Sequence, residues 1–276
     1  MRRPKDDHAN PPHQNEKTSE GSLKDLPTGY AIGIARFLSF LPYPLRPLPM
    51  AMPTEKELLD ACCHIGHRKN KWNPKMNSYL FGVRRGLHLF DLVETRKHLE
   101  TLCSALKKLQ TEGKTILFVS TKQQSIPLIE TLGEALNQPT VTKKWIPGLL
   151  TNWFTIKKRI KYFLDLKHSF KTGEVEKYKK KEQTELRKKL MKLETALSGV
   201  AGMTERPDAL FVVDGVRDHV AVLEANTLKI PVYGFCDSNT NPDEFTVFVP
   251  TNDDAVKSLT LLLSTIQKEL TGSASA

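Results

Sequence analysis

Apolar residues recur along the chain in two rhythms. Residues 114–120 (KTILFVS), 208–214 (DALFVVD), 230–237 (IPVYGFCD) and 245–250 (FTVFVP) are short, nearly unbroken apolar runs. Runs of this kind suit strands covered on both faces, as in a parallel sheet. Elsewhere the period lengthens. Residues 93–111 place Leu99, Leu102, Leu106 and Leu109 on one helical face. Residues 122–136, 217–227 and 253 to about 270 also read as helices. Pro127 falls inside the first of these three and is expected to kink it. Upstream, Thr54 and Glu57 form a capping-box pattern that opens a short helix through Leu58, Leu59 and Cys62, stopping near Gly66. Residues 79–91 (YLFGVRRGLHLFD) read as two short strands around Arg84–Gly86. Strands alternating with helices predict an α/β fold, a mainly parallel sheet flanked by helices.

Residues 149–199 break that rhythm. Leu149, Trp153, Ile156, Ile160 and Phe163 are spaced 4, 3, 4, 3, and Leu186, Leu190, Leu193 and Leu197 are spaced 4, 3, 4. Two such seams joined by the Gly-containing turn at 171–173 predict a protruding antiparallel α-helical hairpin of coiled-coil type. The seam thins at Lys177–Lys181, so the distal part is expected to be charged. The predicted organisation is a sheet domain over 53–150 and 200–270, an inserted helical hairpin over 151–199, and a disordered tail over 271–276. Residues 1–52 are polar and then Pro-broken, and read as a disordered leader or as an upstream extension translated from a misplaced start codon. The second reading is preferred because Met50 and Met52 stand directly before the first convincing helix.

The net charge is +10 and the isoelectric point about 9.3. Its distribution is more informative than its sum. Residues 53–150 are net +6, 151–199 net +8 and 200–276 net −6. One side of the protein should therefore face a polyanion, leaving another face for a different partner. The apolar runs are too short to span a membrane. Cys62, Cys63, Cys103 and Cys236 show no disulfide spacing, which fits reduced thiols in a cytosol-like compartment.

Most catalytic signatures fail. The GKT at 113–115 lacks the upstream Gly of a P-loop, since Lys108 stands there, and Gly113 precedes a strand rather than a helix. The turn Ser120–Thr121–Lys122–Gln123 could offer a helix N-terminus and Lys122 to a phosphate, or Ser120 or Thr121 could simply cap the helix. Cys63, His64 and His67 are weak candidates for a metal site, without the two separated ligand pairs that zinc usually has. Asp214, Asp218, His219, Asp237, Asp243, Asp253 and Asp254 lie mostly after strand ends, where α/β enzymes bind ligands, but Asp237 suits a turn and Asn252 and Asp253 the start of the final helix. No activated nucleophile–base pair is evident, and no cofactor or small-molecule substrate is expected. The stronger signal is basic residues interleaved with aromatics. His67, Arg68, Lys69, Lys71, Trp72 and Lys75 crowd one loop; Arg84 and Arg85 form a second; Lys143 and Lys144 precede Trp145; and Lys157 and Lys158 follow Trp153. Such loops suit phosphate contacts and base stacking, while Trp72 and Trp145 could equally anchor long loops in the core.

The ordered motifs LLDACCHIGHRKNKWNPKM (58–76), FGVRRGLHLFDLVET (81–95), KTILFVSTK (114–122), LLTNW (149–153), PDALFVVD (207–214), EANTLKIPV (224–232), DSNTNPD (237–243) and VPTNDDA (249–255) together resemble the S2 family of small-subunit ribosomal proteins over residues 54–270. The resemblance implies a flavodoxin-like sheet with a protruding hairpin, no enzymatic activity, and a seat at the head–body junction of the small subunit, bound to its rRNA and to neighbouring ribosomal proteins. In many bacteria it also implies a part in anchoring the large protein S1. The hairpin points to the bacterial-type branch, cytoplasmic in a bacterium or inside a mitochondrion or plastid. Two sites depart from the family pattern: Cys62–Cys63 replace small residues such as Gly and Val, and Trp145–Ile–Pro–Gly replaces Trp–Leu–Gly–Gly. Two other function classes remain: an α/β enzyme binding a phosphate-containing ligand, and a coiled-coil adaptor. Ligand-induced stabilisation would mark the first, and protein binding that survives loss of the basic loops the second.

Overall fold

The structure, a computed structural model, describes residues 52–272. The leader expected over 1–52 lies, except for Met52, outside the described residues, as does the tail beyond Gly272. In chain order the elements are α1 (Glu55–Asp60), β1 (Ile65–Arg68), β2 (Leu80–Arg84), β3 (Leu87–Phe90), α2 (Leu92–Thr111), β4 (Ile116–Val119), α3 (Ile126–Leu136), β5 (Thr140–Val141), α4 (Trp153–Lys171), α5 (Lys180–Leu197), β6 (Ala209–Val212), α6 (His219–Thr227), β7 (Val232–Cys236), β8 (Val247–Pro250) and α7 (Val256–Thr271).

The five central strands are parallel, in the order β5-β4-β6-β7-β8. The chain therefore starts inside the sheet, adds β5 on one side and the remaining strands on the other, the doubly wound pattern that the alternation predicts. Every residue of β4, β6 and β7 is buried, which explains their unbroken apolar runs. Successive side chains feed opposite faces. Ile116, Phe118, Phe211 and Phe235 pack with Leu99, Leu102 and Leu106 of α2, Ile129 of α3 and Leu262 and Ile266 of α7. Leu117, Val119, Leu210 and Val212 pack on the other side with Val222 of α6 and with Trp153, Ile156 and Ile160 of α4. Gly234 permits the close approach of β6 and β7, since a Cβ there would overlap the Val212 carbonyl oxygen.

A second sheet, β1-β3-β2, is antiparallel. Its β2–β3 hairpin turns on Arg85 and Gly86, with φ of 51° and 79°, the double left-handed turn that matches strand twist. Strand β1 departs from the sequence expectation, which gives this segment to the end of the first helix. It exists because Phe90 N–H reaches the His64 carbonyl and Lys69 N–H the Gly86 carbonyl, both long-range bonds. Cys62 adopts φ 63°, a conformation that suits glycine better than cysteine.

Several local expectations are corrected. Helix α3 begins at Ile126 rather than 122, so Pro127 sits in its first turn and no backbone bond is lost to it. Ser125, not Ser120 or Thr121, is the residue before that helix, and it makes no side-chain cap. Asn252 accepts from the N–H groups of Asp254 and Ala255 as expected, but Asp253 turns inward. Thr271, inside the segment expected as tail, still belongs to α7. In α4, Trp153, Ile156, Ile160, Phe163 and Leu166 are buried. In α5, Leu186, Leu190 and Leu193 are half-buried and Leu197 is buried. The two helices contact each other, and Lys167 of one pairs with Glu194 of the other at 3.3 Å.

Candidate nucleic-acid interface and the polar cluster behind it

Strand pairing gathers cations that are distant in sequence. Arg68 pairs with Leu87 in register, and Lys69 N–H donates to Gly86. Arg68 and Lys69 are thereby placed beside the Arg84–Arg85 turn. All four side chains are exposed, as is Lys71. Trp72 is half-buried and packs on His88 with ring centroids 4.9 Å apart, which anchors the loop. Lys75 is exposed but pairs with Asp243, which already neutralises it.

Lys143 and Lys144 are exposed at the rim of a polar recess of about 760 Å³, which Lys114 and Arg206 also line. Arg206 borders in addition a shallower recess of about 470 Å³ with Trp153, Phe154 and Lys157. Lys158 sits with its ammonium 4.2 Å from the centre of the exposed Phe154 ring. Arg206 borders both recesses, and so does Glu205; Glu130, Glu134 and Asp208 also line the larger one, whose charge is therefore mixed. Neither Lys114 nor Arg206 is among the contacts that the sequence predicts. Nothing in their flanking residues marks them, and only the fold brings them there.

Trp145 itself is buried, and its indole N–H donates to Glu224 at 3.0 Å. The same carboxylate accepts from the N–H groups of Gly148, Leu150 and Thr151 and from the Thr151 hydroxyl, all within 3.1 Å. Burial works against the charge of Glu224, but these donors outweigh it and hold the carboxyl below its ordinary value. One acidic side chain thus fixes the loop from Trp145 to Thr151 and positions the start of α4. The sequence marks Glu224 only as part of a family motif.

Lys122 needs correction as a phosphate contact. It is buried, and its ammonium pairs with Asp253 and Asp254 at 2.7 Å and with Asp214 at 3.1 Å. Burial opposes its charge, yet the three carboxylates prevail and raise its basicity. It closes the C-terminal ends of β4, β6 and β8. Asp218 accepts from the N–H and hydroxyl of Thr121, and Asp214 from the N–H groups of Val216 and Arg217. His219 stands 3.4 Å from Glu244. The cap and turn chemistry expected for these acids is largely what they perform.

The weak metal set is also corrected. Cys63 is buried and receives a hydrogen bond from Ser258, and burial pushes its thiol up. The Nδ1 of His64 is buried without a partner. His67 instead joins the strand ends. Its Nδ1 lies 3.0 Å from Asp237 and its Nε2 3.6 Å from Asp254. Its backbone N–H donates to Ser238, whose hydroxyl would clash with a side chain at Gly66. The Asp237 bond raises the imidazole above its usual basicity against the effect of burial.

Asp253 has its pKa raised to about 8, by burial first and by Asp214 and Asp237 next. Between an unfolded value near 3.9 and about 8, the folded chain holds a proton that the unfolded chain has released. Stability should therefore fall as pH rises across that window. Thermal melts from pH 5 to 8.5 should show a declining Tm, and Asp253→Asn should flatten the decline. An unchanged slope in the variant would assign the effect to other groups.

Among the described residues, no helix is long and apolar enough to cross a membrane. The sequence profile of the family described as Ribosomal protein S2 matches residues 58–272. The chain is 40% identical over 211 residues to the small ribosomal subunit protein uS2c of Guillardia theta, covering 76% of this chain and 90% of that one. It is 41% identical over 210 residues to uS2 of a Nitratiruptor species, covering 76% and 79%. It is 40% identical over 215 residues to uS2 of Petrotoga mobilis, covering 78% and 75%.

Proposed function

The chain belongs to the ribosomal protein S2 family, and on that premise we propose that it is a non-catalytic structural constituent of the small ribosomal subunit that binds rRNA through its basic loops. The observation that carries the reading is the convergence of Arg68 and Lys69 with Arg84 and Arg85 on one edge of the small sheet, next to Lys71 and Trp72. Five exposed cations, on backbone fixed by strand pairing, can meet several phosphates at once. Lys143, Lys144, Lys157 and Arg206 extend the surface. The net negative C-terminal quarter supplies a face for neighbouring ribosomal proteins, S1 among them in a bacterial setting. Residues 151–199 act as an inserted helical arm of coiled-coil type, for which the 3-and-4 spacing of its inward residues is the support. The strand-end acids bond to Lys122, His67 and local backbone, which supports a non-catalytic reading. The ribosome in question is bacterial or organellar.

The test is binding of the full chain to fragments of small-subunit rRNA at several salt concentrations. Lys69→Ala, Lys71→Ala and Arg84→Ala combined should reduce the slope of log K against log salt by about 2–3, at roughly 0.7–0.9 for each phosphate no longer neutralised. Lys75→Ala should change the slope much less, because Asp243 already pairs with Lys75. Equal slopes for the triple variant and the parent would place the RNA interface elsewhere.

A further inference from the structure

We propose that His67, Asp254 and Asn239, with Asp237 holding the imidazole from behind, form a site for one divalent transition-metal cation of the zinc type. His67, Asp237 and Asp254 each offer a ligand atom within 4.8 Å of the others, and they come from three separate segments: β1, the end of β7 and the end of β8.

The hydrogen-bond pattern assigns the roles. Asp237 is buried and accepts from the Ser238 N–H and hydroxyl, so it is a fixed carboxylate. It lies 3.0 Å from His67 Nδ1 and accepts the hydrogen bond that this N–H donates. Nε2 then presents its lone pair, which accepts from the Asn239 side-chain N–H at 3.3 Å. The same nitrogen lies 3.6 Å from the Asp254 carboxylate. A cation held between Nε2 and that carboxylate would take the place of the Asn239 N–H as partner of the lone pair. A carboxylate behind a histidine whose other nitrogen meets the ion is the usual support for a zinc ligand.

The spacing fits as well. Nitrogen and oxygen ligands about 2.0–2.2 Å from a tetrahedral zinc lie roughly 3.4 Å from each other. The 3.6 Å between Nε2 and the Asp254 oxygen is close to that value. Turning Asn239 about its terminal bond would give up its N–H contact with Nε2 and bring the amide oxygen toward the same point. Asp254 is divided between two tasks: Oδ1 holds Lys122 and Oδ2 faces His67. Its side chain is 60% exposed, which leaves an entry path and room for a water as the last ligand.

Charge supplies an independent reason. Asp214 and Asp254 share the Lys122 ammonium at the strand ends, and Asp237 beside them pairs with His67 instead. A dication offsets the excess of carboxylates there. An imidazole in the set favours zinc-like ions over magnesium or calcium, which prefer oxygen alone.

The experiment uses the full chain, dialysed against EDTA and then titrated with Zn²⁺ and, for spectroscopy, with Co²⁺. The expected result is one Zn²⁺ retained per chain after desalting. Co²⁺ should give visible bands of a tetrahedral N/O site without thiolate charge transfer. Asp254→Ala and His67→Gln should each weaken Zn²⁺ binding at least tenfold, and Cys62→Ser should leave it unchanged. Circular dichroism checks folding; if His67→Gln unfolds, the exposed Asp254→Ala carries the test. Absence of stoichiometric metal, a thiolate band, or equal affinity in Asp254→Ala and the parent would each overturn the proposal. The first of these outcomes would mean that a proton alone fills the gap.

Discussion

Glu224→Ala should destabilise the folded chain by about 3–5 kcal/mol, read as a drop in the urea midpoint with little change in slope. The truncation removes one acceptor and strands five donors: the Trp145 indole, three backbone N–H groups and the Thr151 hydroxyl. A buried donor left without a partner costs about 1–3 kcal/mol, and entering water recovers part of the total. Glu224→Gln should fall between the two. Its remaining carbonyl oxygen can serve one side of the set, while its amide group faces donors. The loss should be accompanied by a red-shifted Trp145 emission, because its ring leaves the buried environment. A Glu224→Ala chain as stable as the parent would show that the loop holds its shape through apolar packing alone.

Lys122→Met should be of similar size, about 3–5 kcal/mol, above pH 8, where Asp253 is ionised together with Asp214 and Asp254 and the three lose their counter-charge. The shape is nearly conserved, so packing contributes little. The cost should shrink as pH falls, since protonation relieves the repulsion among Asp214, Asp253 and Asp254. Adding Asp253→Asn to Lys122→Met should restore part of the stability, an interaction readable as a double-mutant cycle. A pH-independent cost would reduce the role of Lys122 to volume filling.

These two side chains also show where sequence reading stops. The strands β4, β6, β7 and β8 are legible because burial leaves short apolar runs rich in β-branched and aromatic residues. The β2–β3 hairpin is legible through Arg85–Gly86 between alternating residues. Strand β1 is not, because Ile65–Arg68 has no pattern of its own and is a strand only by virtue of β3. Two-residue β5 has no period to read. Lys122 looks like any lysine after a strand. Its partners lie at 214, 253 and 254, and only the sheet order brings them within reach. The basic loops can be found residue by residue, but their grouping through Gly86 and Arg206 depends on the fold.

The helical insertion between β5 and β6 has a consequence for how the chain acquires its shape. Thr115 and Asp208, 93 residues apart, are hydrogen-bonded at the mouth of the β4–β6 pair. Closing a loop of that length is slow in an unstructured chain. Here Gly199, just past α5, lies directly against the Thr140 carbonyl of β5. Once α4 and α5 have paired, the entire excursion returns to the edge from which it left. A nascent chain can therefore fold 153–197 locally, before residues 209–212 have emerged from the exit tunnel, and so deliver β6 to β4 as though the connection were a few residues long.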